Sequence, residues 1–542
     1  MDSLTEQILR YHHRTKHHQT RYAAGPPGLD WSTQPDPFRI YSGAPRRAWP
    51  LAADSLVTPY SDLRRSGAVD SRPLTGENLG IFFEISMGLS SLKAAGDSTW
   101  ALRCNPSSGN LHPTEGYLAC PSLPGLPNGV YHYAPGEHAL ERRASPGAAW
   151  DGAFPRGGVL VGLASIHWRE AWKYGERAFR YCQHDAGHAM AALRYAAAAL
   201  GWKVRLLETW SDGDIAALLG LDQDDSFEGA EKECPDLVLW VGPEPGLTGP
   251  AALVKALQDA SWSGRANRLS VRHVEWMAVD EAERATRKPR TKPLRLHTPC
   301  ALPPLPAPPS TLTAADLFRQ RRSAVAFDGA TSMSSPAFFA VLDALIPHPG
   351  LPPFDVLPWP PRLHLVLFVH RVEGLAPGLY LLARSAEGDD VLRAAVGPGW
   401  EWADVAGCPS HLRLRRLLAE DVTRAARIIC CHQEIAADSA FSVGMLAQFQ
   451  DALEEGPWAY RHLFWEAGMI GQALYLEAEA WGFRGTGIGC YFDDEVHRLL
   501  GLPDDAIQDL YHFTVGGPLE DSRITTLPPY GGRAKRDGKS EK

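Results

Sequence analysis

The sequence has little that is typical of a membrane or secreted protein. Its longest strongly apolar run covers only residues 363–369, which is far too short to span a bilayer. The first residues include Asp2, Glu6 and Arg10 and form no apolar signal segment. The nine cysteines are odd in number and follow no regular spacing, unlike a disulfide framework. We therefore expect a protein of the reducing cytoplasm that makes no membrane contact.

Signatures of several common enzyme and binding classes are missing as well. No Cys/His set has zinc spacing, and no Gly-x-Ser-x-Gly elbow of a hydrolase occurs. The glycine-rich stretch 485–489 follows a long predicted helix, whereas a dinucleotide-binding turn precedes one. The formal net charge of −9 argues against a nucleic-acid partner. What remains is an ordinary globular composition in 542 residues, enough for two or more domains.

Two histidine pairs have the spacing of one helix face: His13 with His17, and His184 with His188. Neither pair has a third ligand at a useful spacing, so we predict no metal site. The first pair is then expected on a solvated helix face. The second is expected as polar residues of a core or an interface.

The two halves of the chain repeat the same order of predicted elements. Long apolar helices are predicted over residues 174–201 and 458–482. Three pairs of glycines in matching contexts have the same separation, since 468 − 187, 482 − 201 and 501 − 220 each give 281. Leu-Leu-Gly-Leu likewise occurs at 218–221 and at 499–502. The sequence therefore predicts two equivalent domains in one chain.

The predicted organisation has five parts. They are an N-terminal helix with an irregular arm (1–60), a first domain (61–254), a basic and proline-rich linker (255–310), a second domain (311–530) and a disordered tail (531–542). Within the first domain a helix is predicted over 79–92. A nucleic-acid patch is the alternative interpretation of the basic run 284–295. Few aromatic residues lie within that run and the whole chain is acidic, which disfavours this alternative.

One loop, Pro106-Ser107-Ser108-Gly109-Asn110-Leu111-His112-Pro113, carries short polar side chains and backbone N–H groups between two predicted elements. Such groups can hydrogen-bond the edge of a planar heterocycle that carries carbonyls and ring nitrogens. The alternative is a plain Ser/Asn/Gly turn.

Arg-Arg-Ser occurs once in each half, at 64–66 and at 321–323. Two arginines and a hydroxyl near a helix suit a phosphate dianion, through bidentate charge-assisted hydrogen bonds. A solvated surface turn is the alternative for either copy, but the same tripeptide at the head of both repeats favours a phosphate site.

Lys173 and Tyr174 are adjacent at the predicted start of the first long helix. A lysine beside a tyrosine can donate and accept protons if its surroundings lower the pKa of the lysine. A lysine that only extends its charged end to solvent is the alternative. The 281-residue offset places Glu454-Glu455-Gly456 at the position of Lys173-Tyr174-Gly175, so the second half lacks this pair.

These stretches resemble one known family. Pro-Ser-Ser-Gly-x-Leu-His-Pro, Arg-Arg-Ser, Lys-Tyr-Gly-Glu-Arg and the opening Tyr-His-x-Arg-Thr-Lys are similar to motifs of the nitroreductase superfamily, in particular of its SagB-type dehydrogenases. The resemblance implies an α+β fold: two fused nitroreductase-like domains packed as an intramolecular pseudo-dimer. Each domain would be a small, mostly antiparallel sheet with helices around it. In the family, FMN lies between two protomers.

The resemblance also implies which residues form one complete FMN site. The implied phosphate ligands are Arg321, Arg322, Ser323 and Arg523, and the implied ring contacts are Pro106, Ser107, Ser108, Asn110, Gly487 and Gly489. Lys173 and Tyr174 are the implied catalytic pair, which would remove a proton while hydride goes to FMN. The second site would pair Arg64 and Arg65 with the loop 359–364, which has no hydroxyl residues. We expect this second site to be empty or weak.

Three functions remain open from the sequence. The first is a SagB-type, FMN-dependent dehydrogenase that acts on a small molecule or a modified peptide, such as a peptide azoline. The second is a reductase of nitro compounds or quinones that uses NAD(P)H. The third is a degenerate pair of domains that binds a ligand or partner without turnover. No nucleic acid or membrane partner is expected, and a further homodimer is left open.

Overall fold

The computed structural model of the chain describes residues 3–147, 149–154, 157–243, 249–295, 297, 299–503 and 505–531. The predicted disordered tail lies, beyond Gly531, outside the described residues. Among the described residues, no helix combines the length and the apolar character needed to cross a membrane.

The first half begins with a helix and then alternates strands and helices. Its helices are α1 (Leu4–Arg14), α2 (Gly76–Ser86), α3 (Ala149–Ala153), α4 (His167–Tyr174), α5 (Ala178–Ala199), α6 (Asp212–Leu219), α7 (Pro250–Leu257) and α8 (Met277–Ala285). Its strands are β1 (Tyr41–Ser42), β2 (Arg46–Ala48), β3 (Leu89–Ala95), β4 (Ser98–Arg103), β5 (Thr114–Cys120), β6 (Gly129–Ala134), β7 (Ala139–Ser145), β8 (Val159–Ser165), β9 (Lys203–Leu206), β10 (Cys234–Gly242), β11 (Ser261–Trp262) and β12 (Arg265–Ala266).

The second half follows the same plan. Its helices are α9 (Ala314–Gln320), α10 (Ser335–Asp343), α11 (Ala386–Ala395), α12 (Thr423–Ile429), α13 (Glu434–Ala437), α14 (Phe449–Glu454), α15 (Ala459–Ala480) and α16 (Glu495–Leu500). Its strands are β13 (Met333–Ser334), β14 (Leu363–Val369), β15 (Val372–Glu373), β16 (Gly378–Ala383), β17 (Ala403–Asp404), β18 (Arg413–Leu418), β19 (Phe441–Gln448), β20 (Arg484–Ile488), β21 (Ile507–Gly516) and β22 (Thr525–Leu527).

The main sheets of the two halves have the same strand order. In the first half the order is β7-β6-β5-β8-β10-β9, extended at the β7 edge by β11 and β2. In the second it is β18-β16-β14-β19-β21-β20, extended by β17. Neighbouring strands in both sheets are antiparallel. The predicted α+β fold of two equivalent domains is therefore confirmed.

The two long helices α5 and α15 pack against each other at the centre of the molecule. A Cβ atom on Gly187 would collide with the backbone of Trp465, and one on Gly468 would collide with the backbone of His184. These two glycines are the pair that defines the 281-residue offset, so each helix touches the other at the equivalent residue. Both helices are apolar over most of their surface because both are buried nearly all round.

Both ends of the chain cross to the other half. On α1, the ring of buried His12 lies near the hydroxyl of Tyr460 (3.3 Å) and the Gln508 carbonyl oxygen Oε1 (2.9 Å) of the second half. At the other end, β22 pairs with β3 of the first half. The expected solvated face of α1 is therefore wrong in part: His17 is also buried, because α1 and the turn after it are covered by the second half.

Two further sequence expectations need correction. The helix predicted over 79–92 ends at Ser86, because the apolar residues that follow it belong to strand β3. The predicted linker is not an extended spacer over its first part, since it contains β11, β12 and α8. In its basic run, Lys288 donates from Nζ to the carbonyl oxygen of Trp210 (3.0 Å), and Arg290 pairs with Asp214. These cations are used within the protein, which further disfavours a nucleic-acid patch.

Candidate active site

A cavity of about 450 Å³ lies between the two halves and is lined by residues of both. Ten of the twelve predicted site residues line it: Pro106, Ser107, Ser108, Asn110, Tyr174, Arg321, Arg322, Ser323, Gly487 and Gly489. Lys173 reaches the same loop from the side, as described below. Arg523 does not line the cavity.

Arg321 is a buried cation with unused hydrogen-bonding capacity at one end of this cavity. It follows directly after α9 and is only 3% exposed. Its Nη2 donates to the carbonyl oxygen of Arg103 (3.2 Å), while Nε and Nη1 have no partner among the described residues. Burial lowers the pKa of Arg321, and burial followed by the charge of Arg321 lowers the pKa of Arg322 to about 10. An anion placed here would stabilise both charges.

Tyr475 on α15 holds two parts of the cavity wall together. Its hydroxyl accepts a hydrogen bond from the backbone N–H of Gly487 (3.0 Å) and lies 2.8 Å from the hydroxyl of Ser323. Its ring centre lies 4.9 Å from the Arg321 guanidinium carbon, a cation–π contact. Tyr475 was not predicted as a site residue, since nothing in the local sequence distinguishes it from the apolar residues of a buried helix.

The loop at 106–113 is fixed by a buried acid on α5. Asp185 accepts hydrogen bonds from the backbone N–H and the hydroxyl of Ser108, both at 3.0 Å. The hydroxyl of Ser107 accepts from the N–H of His112 (2.8 Å), and the Asn110 side-chain amide donates to Ala101 (3.0 Å). The loop side chains that the sequence suggested as ligand contacts therefore have protein partners. Burial raises the pKa of Asp185 to about 7.

Lys173 and Tyr174 meet the same loop from the end of α4. The Tyr174 hydroxyl and the Lys173 ammonium lie 2.6 Å and 3.1 Å from the point that a Cβ atom on Gly109 would occupy. Gly109 has a φ of 58°, so both the conformation and the close approach require glycine. Burial, followed by the charge of Glu170, raises the pKa of Tyr174 well above its ordinary value. The phenol therefore keeps its proton and can donate a hydrogen bond.

The N-terminal helix fixes the segment that follows this pair. Tyr11 donates from its hydroxyl to the carbonyl oxygen of Glu176 (2.8 Å), and Arg14 pairs with the Glu176 carboxylate. Arg177 donates to the carbonyl oxygen of Thr15 (2.6 Å). The Tyr-His-x-Arg-Thr-Lys opening and the Lys-Tyr-Gly-Glu-Arg stretch are thus two sides of one contact.

Glu170 is a second buried acid near the cavity that the sequence reasoning missed. It is 0% exposed, and neither carboxylate oxygen has a hydrogen-bond partner within the described part of the chain. Burial, followed by the charge of Asp185, raises the pKa of Glu170 well above its ordinary value. Its position three residues before Lys173 on one helix face was the available signal.

The repeat relates this cavity to a smaller crevice of about 330 Å³, whose lining includes Arg205 of the first half and Trp359 of the second. The counterpart of Arg321 is Arg64, which is not among the described residues that line this crevice; it is 4% exposed and forms an ion pair with Glu477. Glu477 also accepts a hydrogen bond from Tyr60 (2.8 Å). Arg64, unlike Arg321, therefore has a carboxylate partner.

The buried acid of the second half is also in an ion pair. Glu466 is the counterpart of Asp185, since 466 − 185 gives 281, and it likewise accepts from the loop, through the N–H of Arg362 (3.1 Å). Unlike Asp185, it forms an ion pair with a buried arginine, Arg384. Trp359 stacks on His462 with ring centres 4.5 Å apart and so occupies part of the crevice.

The predicted phosphate ligand Arg523 is placed elsewhere. Its side chain is 86% exposed and forms an ion pair with Asp521 (2.7 Å). The segment turns back on itself here, because the N–H of Ile524 bonds to the Asp521 carbonyl oxygen (3.0 Å). The lining of the cavity does include another arginine of the second half, Arg484 on β20, which pairs with Glu479 and Glu520. Sequence order suggested Arg523, whereas the strand pairing brings Arg484 to the cavity.

Comparison with known proteins identifies this architecture. Residues 410–517 match the family model described as the nitroreductase family. Over 96% of its length the chain matches all of a crystal structure described as "a putative nitroreductase" from Anabaena variabilis ATCC 29413, with a TM-score of 0.68 and 22% sequence identity. The chain has the nitroreductase fold. The family match covers β19, α15 and β20, hence Gly487 and Gly489, but neither Arg321 nor the 106–113 loop.

Two other similarities are more limited. A "Putative nitroreductase" of Methanocaldococcus jannaschii is 26% identical over 145 residues, which are 25% of this chain and 68% of that protein. A structure of the E. coli microcin synthetase McbBCD complex with truncated pro-MccB17 bound is 15% identical and covers 37% of this chain and 70% of that chain. Its TM-score of 0.27 is too low to support an argument.

Proposed function

We propose that the protein is an FMN-dependent oxidoreductase, and more narrowly a SagB-type dehydrogenase of a small-molecule or modified-peptide substrate such as a peptide azoline. One observation carries the proposal. One cavity is lined by a buried arginine of the second half, two of whose nitrogen atoms have no partner among the described residues, and by the first-half loop that Lys173 and Tyr174 contact. An anion-binding end and a proton-transfer end are thus joined.

The residues present fit FMN. Arg321, Arg322 and Ser323 would hold the phosphate, because Arg321 has spare donors and no carboxylate partner among the described residues. The flavin ring would lie against the backbone of the 106–110 loop and of Gly487–Gly489, in a cavity of a size usual for cofactors. Bound FMN would supply the acceptor or donor of a hydride.

The chain itself would handle the proton. Lys173, in its neutral amine form, would accept it from the substrate carbon through Nζ, and the Tyr174 hydroxyl, protonated at neutral pH, would donate a hydrogen bond to the substrate. The backbone of Gly109 leaves room for both polar atoms at the same point of the loop. A nitro or quinone reductase needs no such pair for hydride transfer, which is why Lys173 and Tyr174 favour the dehydrogenase over the generic reductase.

The test is to measure how much FMN the purified protein binds, by dialysis and by absorbance. We expect about one FMN per chain, because Arg64, the counterpart of Arg321, is already paired with Glu477. Riboflavin, which lacks the phosphate, is the matched control ligand and should bind more weakly. Two equivalents of FMN would contradict the assignment of one site. No binding at all would contradict the cofactor, and equal affinity for riboflavin would remove the role given to Arg321.

A further inference from the structure

Two cysteines that the proposed function does not use meet at the edge of the cavity. Cys490 follows β20, directly after the Gly487–Gly489 segment, and lines the cavity. Cys431 lies in the turn between α12 and α13, with a φ of 52°. Both thiols are free and both residues are partly exposed to solvent. The two residues are 59 positions apart in sequence (490 − 431) but adjacent in space, since each thiol interacts with the other.

The two segments are held together without a covalent bond. The side-chain amide of Gln433 donates to the carbonyl oxygens of Cys430 and Cys490, both at 2.9 Å. The N–H of Phe492 bonds to the carbonyl oxygen of Ile429 at 2.8 Å. A bond between the two sulfur atoms would thus join segments whose backbones are already fixed to one another, so it needs little rearrangement.

The surroundings make the two thiols unequal. The hydrogen bond from the Cys431 thiol lowers the pKa of Cys490, burial opposes this, and the charge of Arg177 lowers it further. The same hydrogen bond and burial raise the pKa of Cys431. Arg177 stays close because it donates to the carbonyl oxygen of Gly489 (3.3 Å) and pairs with Asp493 (2.9 Å). Two adjacent thiols, one of which has a lowered pKa, are the arrangement of a dithiol that exchanges with disulfides.

We propose that Cys431 and Cys490 are a redox-active pair that reduces low-molecular-weight disulfides and closes into an intramolecular disulfide on the cavity wall. The Cys490 thiolate attacks one sulfur atom of R–S–S–R, which forms a mixed disulfide and releases RS⁻. The Cys431 thiol then loses its proton, and its sulfur attacks the Cys490 sulfur and releases the second RS⁻. Two protein thiols are oxidised to one disulfide, R–S–S–R takes up the two electrons, and the two released protons convert both leaving groups to RSH.

The neighbouring cysteine supplies a control. Cys430 precedes Cys431 in sequence, but its thiol is buried and lies 3.5 Å from the His512 ring nitrogen Nδ1. It faces away from the cavity pair and should not take part. Cys300 is exposed and would react with any reagent, so every protein in the experiment carries Cys300→Ser.

The test uses the full chain without added flavin, so its outcome does not depend on FMN binding. The protein is equilibrated with glutathione and glutathione disulfide at a series of ratios, alkylated, digested and analysed by mass spectrometry. We expect a peptide pair linked through Cys431 and Cys490, with the loss of two free thiols, and reversal by dithiothreitol. Cys430→Ala should keep this linkage. Cys431→Ala should instead stop at glutathione attached to Cys490.

A kinetic readout tests the inequality of the thiols. With a limiting amount of iodoacetamide at pH 7, Cys490 should be alkylated before Cys431, and Cys431→Ala should slow the alkylation of Cys490. Three results would overturn the proposal: no linked peptide at any ratio, glutathione on both cysteines without a link, or a link that needs Cys430. Cys490→Ser, which keeps the size of the side chain, should abolish the link while circular dichroism confirms that the variant is folded.

Discussion

Two arginines occupy equivalent places at the heads of the two halves, and their neighbours differ. Arg321 lines a cavity and has no carboxylate partner among the described residues, whereas Arg64 forms an ion pair with Glu477. The buried acids behind the two loops differ in the same way. Asp185 lacks a cation partner among the described residues, whereas Glu466 forms an ion pair with Arg384. Arg321 and Asp185 thus have no ion-pair partner among the described residues, whereas their counterparts Arg64 and Glu466 each have one.

This difference shows that the Arg-Arg-Ser motif does not by itself make an anion site. A buried guanidinium that already has a carboxylate gains little from a phosphate, which would first have to displace that carboxylate. A buried guanidinium without one is stabilised by any anion that reaches it. We therefore expect Glu477, on the central helix α15, to determine which of the two arginines is available to an anion. Glu477 lies more than 150 positions from either motif (477 − 323 = 154).

The largest expected effect on activity is at Lys173 and Tyr174, a pair that only the first half has. Lys173→Ala and Tyr174→Phe should reduce oxidation of an azoline-containing model peptide by roughly 10²–10⁴-fold, because an acid–base group is lost. FMN occupancy, measured by absorbance on the same samples, should stay unchanged. Glu454→Ala, at the equivalent exposed position of the second half, is the matched control and should keep full activity. Full activity of Lys173→Ala would contradict the dehydrogenase mechanism, and the nitro or quinone reductase and the binding protein would remain as functions.

The second test breaks the ion pair between Arg64 of the first half and Glu477 of the second half. Glu477→Gln leaves the buried charge of Arg64 without its carboxylate, and the free energy of unfolding should fall by about 3–5 kcal/mol. The measurement is the midpoint of urea unfolding. The double variant Arg64→Met/Glu477→Leu replaces both charges by apolar groups of similar size and should stay near the wild type. A change below about 1 kcal/mol in Glu477→Gln would mean that the pair is not the buried unit described above.

The third test compares FMN affinity between the halves. Arg321→Ala should weaken FMN binding by roughly 10- to 150-fold, since charge-assisted hydrogen bonds contribute about 1.5–3 kcal/mol. The Arg64→Met/Glu477→Leu variant should bind FMN as the wild type does. Arg523→Ala should also have no effect, because its side chain is 86% exposed and paired with Asp521. If Arg64 and not Arg321 proves necessary, the phosphate is bound beside Arg64, at the head of the first half.

The last test concerns Asp185, whose effect is confined to the pH dependence of stability. Its pKa is raised to about 7 in the folded protein from an ordinary value of 3.8, so the folded state binds a proton more readily than the unfolded state. The free energy of unfolding should therefore fall as pH rises from about 4 to about 7. Asp185→Asn keeps an acceptor for Ser108 and should remove this part of the pH dependence. Urea midpoints at four pH values between 4 and 7.5 decide the matter, and identical slopes for both proteins would contradict a protonated Asp185.

Local sequence patterns predicted most of the fold. The longest apolar run of the sequence, residues 363–369, coincides with strand β14, because a continuous apolar run of this length suits a strand buried on both faces. The long helices were recognisable from their length and apolar character. The helix α2 was predicted too long, since apolar residues continue past Ser86 into β3 and periodicity does not mark the change of element.

The candidate site was predictable only where a motif is contiguous. The 106–113 loop and Arg321 were found because their residue types are unusual in one short stretch. The partners of these residues were not, since Asp185 reaches Ser108 from 77 positions away (185 − 108) and Glu170 gives no signal except its place on the helix of Lys173. Arg523 was chosen by sequence order, but the pairing of β20 with β21 decides which arginine faces the cavity.

The two matching sheets belong to one chain, so the residues around the two cavities can differ independently. In a dimer of identical subunits every substitution appears at both copies of an interface. Here Glu477 and Arg384 each occur once, so Arg64 and Glu466 have ion-pair partners while their counterparts Arg321 and Asp185 have none among the described residues. The ion pairs of Glu466 and Glu477 help to fix α15, and α15 carries the Tyr475 that contacts Arg321, Ser323 and Gly487.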